Sequence, residues 1–139
     1  MASVKQTSLW LTTACAIVTF GCEAASHTES ANPTASVQVV YESEPLANVQ
    51  IMLKQTADGP ALTHAISDRL GVARFKEMPE PEPAEYVIAM ESLSDGGWIL
   101  DRKVVGKFCD SLRLKPFSQS PNQIIELPKR AVQLLSPTN

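Results

Sequence analysis

Ser67-Asp68-Arg69-Leu70-Gly71-Val72-Ala73-Arg74-Phe75 reads as a tight turn feeding a strand. From Val72 to Lys76 the chain then alternates, with Ala73 and Phe75 on the inward face. One Pro-rich connection later Tyr86-Val87-Ile88-Ala89-Met90 repeats the pattern, with Tyr86, Ile88 and Met90 on one side. Phe75 is expected at the centre of a β core.

The same period extends toward the N-terminus. Val37, Val39 and Tyr41 alternate with Gln38, Val40 and Glu42, and Glu44-Pro45-Leu46 is expected to break that strand. In the stretch Asn48 to Lys54, Val49, Ile51 and Leu53 share a face; Thr56-Ala57-Asp58-Gly59-Pro60 makes a turn, and Leu62 to Ser67 gives a short third strand. Met78-Pro79-Glu80-Pro81-Glu82-Pro83 cannot pair, because its prolines lack donors and fix φ, so it reads as a stiff extended link.

Toward the C-terminus, Ser94-Asp95-Gly96-Gly97 is the next break. Val104, Val105, Phe108, Cys109 and Leu112 then recur at spacings of three and four, which predicts a short helix over Asp101 to Leu112 capped by Asp101. Leu112 and Leu114 begin a further strand, Lys115 to Pro121 forms a loop, and Ile125 with Leu127 closes the fold. Six to seven short strands, with no αβ alternation, predict an all-β two-sheet sandwich with Greek-key connections.

The chain has 139 residues, 44% of them hydrophobic and 19% charged, enough for one folded domain. The expected divisions are a signal peptide at 1–21, a flexible tether at 22–34, the sandwich at 35–130 and a C-terminal tail at 131–139. Met1 to Lys5 is a short cationic region, Leu9 to Phe20 an apolar one too short to span a bilayer, and Gly21-Cys22 closes it. Thr19-Phe20-Gly21-Cys22 resembles the lipobox of bacterial lipoproteins, in which a small residue precedes a Cys that is acylated and becomes the mature N-terminus. Lipidation at Cys22 and membrane anchoring in the cell envelope are therefore expected. The alternative is ordinary cleavage within Cys22-Glu23-Ala24-Ala25-Ser26, giving a soluble periplasmic or secreted protein.

With the signal removed and Cys22 lipidated, Cys109 has no partner for a disulfide. The net charge of −3, with basic residues scattered rather than gathered beside aromatics, argues against nucleic acid as a partner.

The order of strand, Pro45-Leu46-Ala47-Asn48-Val49, strand, Ser67-Asp68 to Gly71 to Phe75 and Tyr86-Val87-Ile88 resembles the prealbumin-like or carboxypeptidase-regulatory-like sandwich. Lys107-Phe108-Cys109-Asp110, Leu112-Arg113-Leu114 and Asn122 to Leu127 look like the end of small transthyretin-like lipoproteins of the planctomycete type. The resemblance spans about residues 36–128 and implies an Ig-like or prealbumin-like Greek-key β-sandwich. The chain departs from that pattern at Ser43-Glu44 and Ala84-Glu85, where the family often carries Gly. One branch of the family, the transthyretin-related hydroxyisourate hydrolases, uses paired His residues, an Arg and a C-terminal Tyr-Arg-Gly-Ser. Here the last residues read Ser136-Pro137-Thr138-Asn139 and His27 sits in the tether, so no catalytic position carries over.

Candidate chemistry is sparse. Cys109 and His64 are the one nucleophile and imidazole combination in the domain, and Phe108 and Leu112 beside Cys109 suit a buried structural thiol. No Cys or His pair stands at zinc spacing, and Asp95, Asp101 and Asp110 lack the spacing of a calcium loop, so no metal or cofactor is expected. Trp98 beside Gly96-Gly97 is a candidate ligand contact, as a sugar platform, against the plainer role of packing with Ile99 and Leu100. The expectation that results is a non-catalytic envelope lipoprotein that binds or scaffolds a protein partner. A glycan-binding module and, more remotely, a transthyretin-related hydrolase are the alternatives.

Overall fold

A computed structural model of the chain describes residues 34–93 and 97–136. The expected signal peptide, Cys22, nearly all of the tether and Asp95 lie outside the described residues. The described residues form an all-β sandwich with one helix, and its two main sheets close on a single core.

The first sheet is built on β1 (Ser36–Tyr41). Along one edge lies β9 (Asn122–Glu126), parallel to it. The other edge is shared by β5 (Val72–Arg74) and β2 (Glu44–Pro45), both antiparallel. At their junction Val39 donates its N–H to the Gly71 carbonyl and accepts from the Leu46 N–H.

The second sheet runs β4 (Ala61–Ile66), β3 (Val49–Lys54), β6 (Tyr86–Ser92) and β8 (Arg113–Leu114), antiparallel throughout. The alternation read from the sequence is the burial observed. Val37, Val39, Val49, Ile51 and Leu53 are fully enclosed, and Gln50, Met52 and Lys54 lie on the outer face.

Along the chain, in the stretch from β6 to β8, comes α1 (Arg102–Ser111), where the apolar spacing predicts it. Asp101 is its N-cap, its Oδ1 accepting from the Lys103 and Val104 N–H groups at 2.9 Å each. Val105 and Cys109 form the buried stripe facing β6.

Three short strands go beyond the expected six to seven. Glu44-Pro45-Leu46 does not simply end β1: the reversal falls earlier, at Glu42 and Ser43, and Glu44–Pro45 returns along β1 as β2. Glu42 (φ 49°) and Ser43 (φ 69°) take the conformation that hairpin turns usually assign to Asn-Gly, so no residue type announces it. β7 (Trp98–Leu100) pairs with β10 (Val132–Leu134), so the segment read as a C-terminal tail contributes a strand. Each has only three residues, too few to display a period.

The opening stretch behaves as read, in a dense set of bonds. Asp68 Oδ1 accepts from the Leu70 and Val72 N–H groups, its Oδ2 receives Arg74, and the Gly71 N–H closes the turn on the Asp68 carbonyl. Gly71 (φ 73°) docks this turn against the first sheet. A Cβ there would stand 2.6 Å from the Val39 carbonyl oxygen and 3.0 Å from Pro45 Cβ, so the approach requires glycine.

Among the described residues Ser67, 2% exposed, is the buried polar residue of the core. Its hydroxyl donates to the Leu46 carbonyl at 2.7 Å and accepts from the Val49 N–H at 3.0 Å. The two stretches that carried the family resemblance, Pro45 to Val49 and Ser67 to Phe75, are thus bonded to each other.

Candidate functional site

The residues singled out in the sequence are scattered over the domain. Cys109 lies on the inner stripe of α1 and His64 on the exposed outer face of β4. β3 and β6 intervene between those elements, so at strand spacings of about 4.8 Å the thiol and imidazole are well beyond hydrogen-bond reach. Burial, then the nearby Asp110 carboxylate, push the Cys109 thiol up to about 11, against a backbone hydrogen bond from Met90. At neutral pH it is a protonated packing group.

Asp101 is engaged as a helix cap and also accepts from the Gln133 amide, which fastens β10 to the start of α1. Asp110 is exposed near the other end of the helix. Among the described residues no group of three or more His, Cys, Asp and Glu side chains could hold a metal ion.

Trp98 occupies the first position of β7. Its half-buried ring packs against the core, and its cross-strand neighbour is Leu134, which is 84% exposed. The contact of Trp98 with the core accords with the packing role read from the sequence.

Between α1 and the outer side of β6 runs a groove of about 440 Å³. Val87 and Ala89 form its floor, Lys54 and Arg102 bring positive charge, and Glu91 and Asp110 bring negative charge. Gly106 opens its helical wall, since a Cβ at that position would meet nothing within 4 Å. The groove assembles four elements, β3 with its following turn, β6, the end of β7 and α1, which is why no contiguous motif pointed to it.

A second residue went unread in the sequence. Glu82, inside the Pro-rich link, accepts from the Tyr86 hydroxyl at 3.1 Å, from the Ser118 N–H at 3.1 Å and from the Phe117 N–H. Burial works against its charged form, but hydrogen bonds from Ser118, Phe117 and Tyr86 outweigh it and hold the carboxyl below its ordinary range. Burial and the same carboxylate push the Tyr86 hydroxyl well above its ordinary value.

Phe117, clamped by Glu82, stacks at a tilt between Phe75 (5.7 Å) and Tyr86 (5.6 Å) and closes that end of the core. The Pro-rich segment therefore holds a loop in place as well as linking two strands. A Glu four residues before a Tyr is too common a spacing to have signalled it.

Compared with known proteins, the chain matches no family model, no curated protein and no solved structure.

Proposed function

We propose that the chain is a non-catalytic envelope lipoprotein: a β-sandwich held to a membrane by lipid on Cys22, which binds or scaffolds a protein partner. The observation that carries this reading is the order of parts along the chain. A cationic start, the apolar run Leu9 to Phe20 and Gly21-Cys22 precede an Ala-, Ser- and Thr-rich segment, and among the described residues Ala35 is the first of the buried core. The resemblance of residues 36–128 to small transthyretin-like lipoproteins supports the same address. The partner reading is supported by an apolar pair at the surface, Trp98, half-buried against the core, and its cross-strand neighbour Leu134, which is exposed.

Acyl-chain labelling of the wild type and Cys22→Ser tests the anchor, with label expected in the wild type alone. Equal labelling of both would remove it. In-cell crosslinking of the full chain, followed by mass spectrometry, tests the partner. A single protein recovered from the wild type and lost from Leu134→Asp is the expected result, with Phe75→Ala as the unfolded control. Phe75 is 2% exposed, so truncating it is expected to cost about 3–5 kcal/mol in equilibrium denaturation. The same proteins captured by the wild type and both variants would discard the partner reading, and glycan-array binding lost in Trp98→Ala would replace it.

A further inference from the structure

The groove between α1 and the outer side of β6 carries charge at both ends and apolar surface between them. α1 runs back along β6. Its start follows Leu100, whose N–H bonds the Ser92 hydroxyl, and its end leads into β8, which pairs with Tyr86 and Val87. Arg102 therefore shares one end of the groove with Glu91, the neighbour of Ser92. Asp110 shares the other with Lys54, which lies opposite Val87.

The two walls are matched in length. Arg102 to Asp110 spans about 12 Å at helical rise, and Val87 to Glu91 about 13 Å at strand rise. Val87 and Ala89 line the stretch between, and Gly106 leaves the helical wall open above them. A volume of about 440 Å³ falls in the range of small-molecule sites.

The charges of the groove do not bridge one another. Among the described residues Arg74 with Asp68 is the one ion pair. Lys54 turns its Nζ to the Ala57 carbonyl at 3.3 Å, and Arg113 donates to the carbonyls of Asp110 and Leu112 rather than to a carboxylate. Asp110 is thus an exposed carboxylate with no bridging cation, at the end of α1 where the helix dipole is negative. At the opposite end an exposed guanidinium and an exposed carboxylate, Arg102 and Glu91, stand together.

The head of an α-amino acid offers the complement of that second pair, a carboxylate beside an ammonium. We propose that the groove binds a free basic α-amino acid of the lysine type. The α-carboxylate meets the Arg102 fork, the α-ammonium meets Glu91, the methylenes lie along Val87 and Ala89, and the terminal cation reaches Asp110. Extended lysine measures about 8 Å from carboxylate to terminal ammonium, and the side chains of Arg102 and Asp110 close the remaining distance. The site is separate from the surface formed by Trp98 and Leu134.

Calorimetric titration of the full chain in detergent with L-lysine tests the site, with a dissociation constant of about 0.1–1 mM expected. Three analogues each lack one charged group: cadaverine the α-carboxylate, Nα-acetyl-L-lysine the α-ammonium and L-norleucine the terminal cation. Each should bind about fivefold or more weakly than lysine. The matching variants should bind lysine no better than its analogue: Arg102→Ala for cadaverine, Glu91→Gln for the acetylated form and Asp110→Asn for norleucine. All three side chains are exposed, so these variants leave the core intact.

Gly106→Leu should fill the groove and abolish binding without lowering the thermal midpoint, because glycine is the poorer helix former. Absence of saturable lysine binding overturns the proposal. So does norleucine bound as well as lysine, or a lysine affinity unchanged by Asp110→Asn or by Gly106→Leu. An analogue penalty that persists in full in its matching variant overturns it as well.

Discussion

Two tight turns sit against the same edge of β1 and reach their conformations by opposite means. Asp68 to Gly71 places glycine where φ is positive, satisfies its backbone from the Asp68 carboxylate and rests on Val39. Glu42 and Ser43 hold positive φ without glycine, a conformation that costs an ordinary residue about 1–2 kcal/mol. The first turn is specified by its own residues. The second is imposed by its surroundings, because β2 must return along β1 for Leu46 to reach both Val39 and Ser67. Residue type therefore announces a turn only where the turn makes its own bonds.

That contrast can be broken at Gly71. Gly71→Ala forces a Cβ into the Val39 carbonyl at a positive φ, and a loss of about 2–4 kcal/mol is expected in equilibrium denaturation. A loss under 1 kcal/mol would mean that the turn is no more tightly specified than its neighbour. Ser67→Ala comes next. It strips the Leu46 carbonyl and Val49 N–H of their buried partner, for about 1–3 kcal/mol, whereas Ser67→Thr should lose less if the added methyl is accommodated.

A smaller effect of opposite sign is expected at the other turn. Ser43→Gly removes strain at φ 69° and should stabilise by about 0.5–1 kcal/mol, net of the freedom glycine gains in the unfolded chain. No gain would show that the hairpin bears no strain.

Acid sharpens the comparison further. The Arg74 guanidinium and the Val72 N–H hold the Asp68 carboxyl below its ordinary value, and Glu82 is also held low. Groups lowered on folding lend stability above their unfolded values and withdraw it as pH falls through the folded ones. Thermal stability should thus decline below the ordinary carboxylate range, and Asp68→Asn should flatten part of that decline. An unchanged acid profile would detach the turn from its carboxylate.

Much of the architecture was legible where side chains repeat. β1, β3 and β6 alternate over six or seven residues, and α1 carries both a cap and an apolar stripe, so each shows its type locally. β2, β7 and β10 are too short to show any period, and β7 meets β10 only across the helix and the closing strands. The candidate surfaces were less legible. Trp98 was visible as a residue, yet Leu134 beside it is brought there by a pairing no spacing encodes. The groove under Gly106 and the carboxylate of Glu82 likewise depend on segments far apart in sequence.

The parallel pair of β1 and β9 sets the timetable of synthesis. Ser36 and Asn122, side-chain partners at one end of that pair, lie 86 residues apart, so the central strand of the first sheet waits for nearly the whole domain before it can be flanked on both sides. Until Asn122 to Glu126 has been made that sheet cannot be completed, and the emerging polypeptide stays open to whatever machinery meets it on the way.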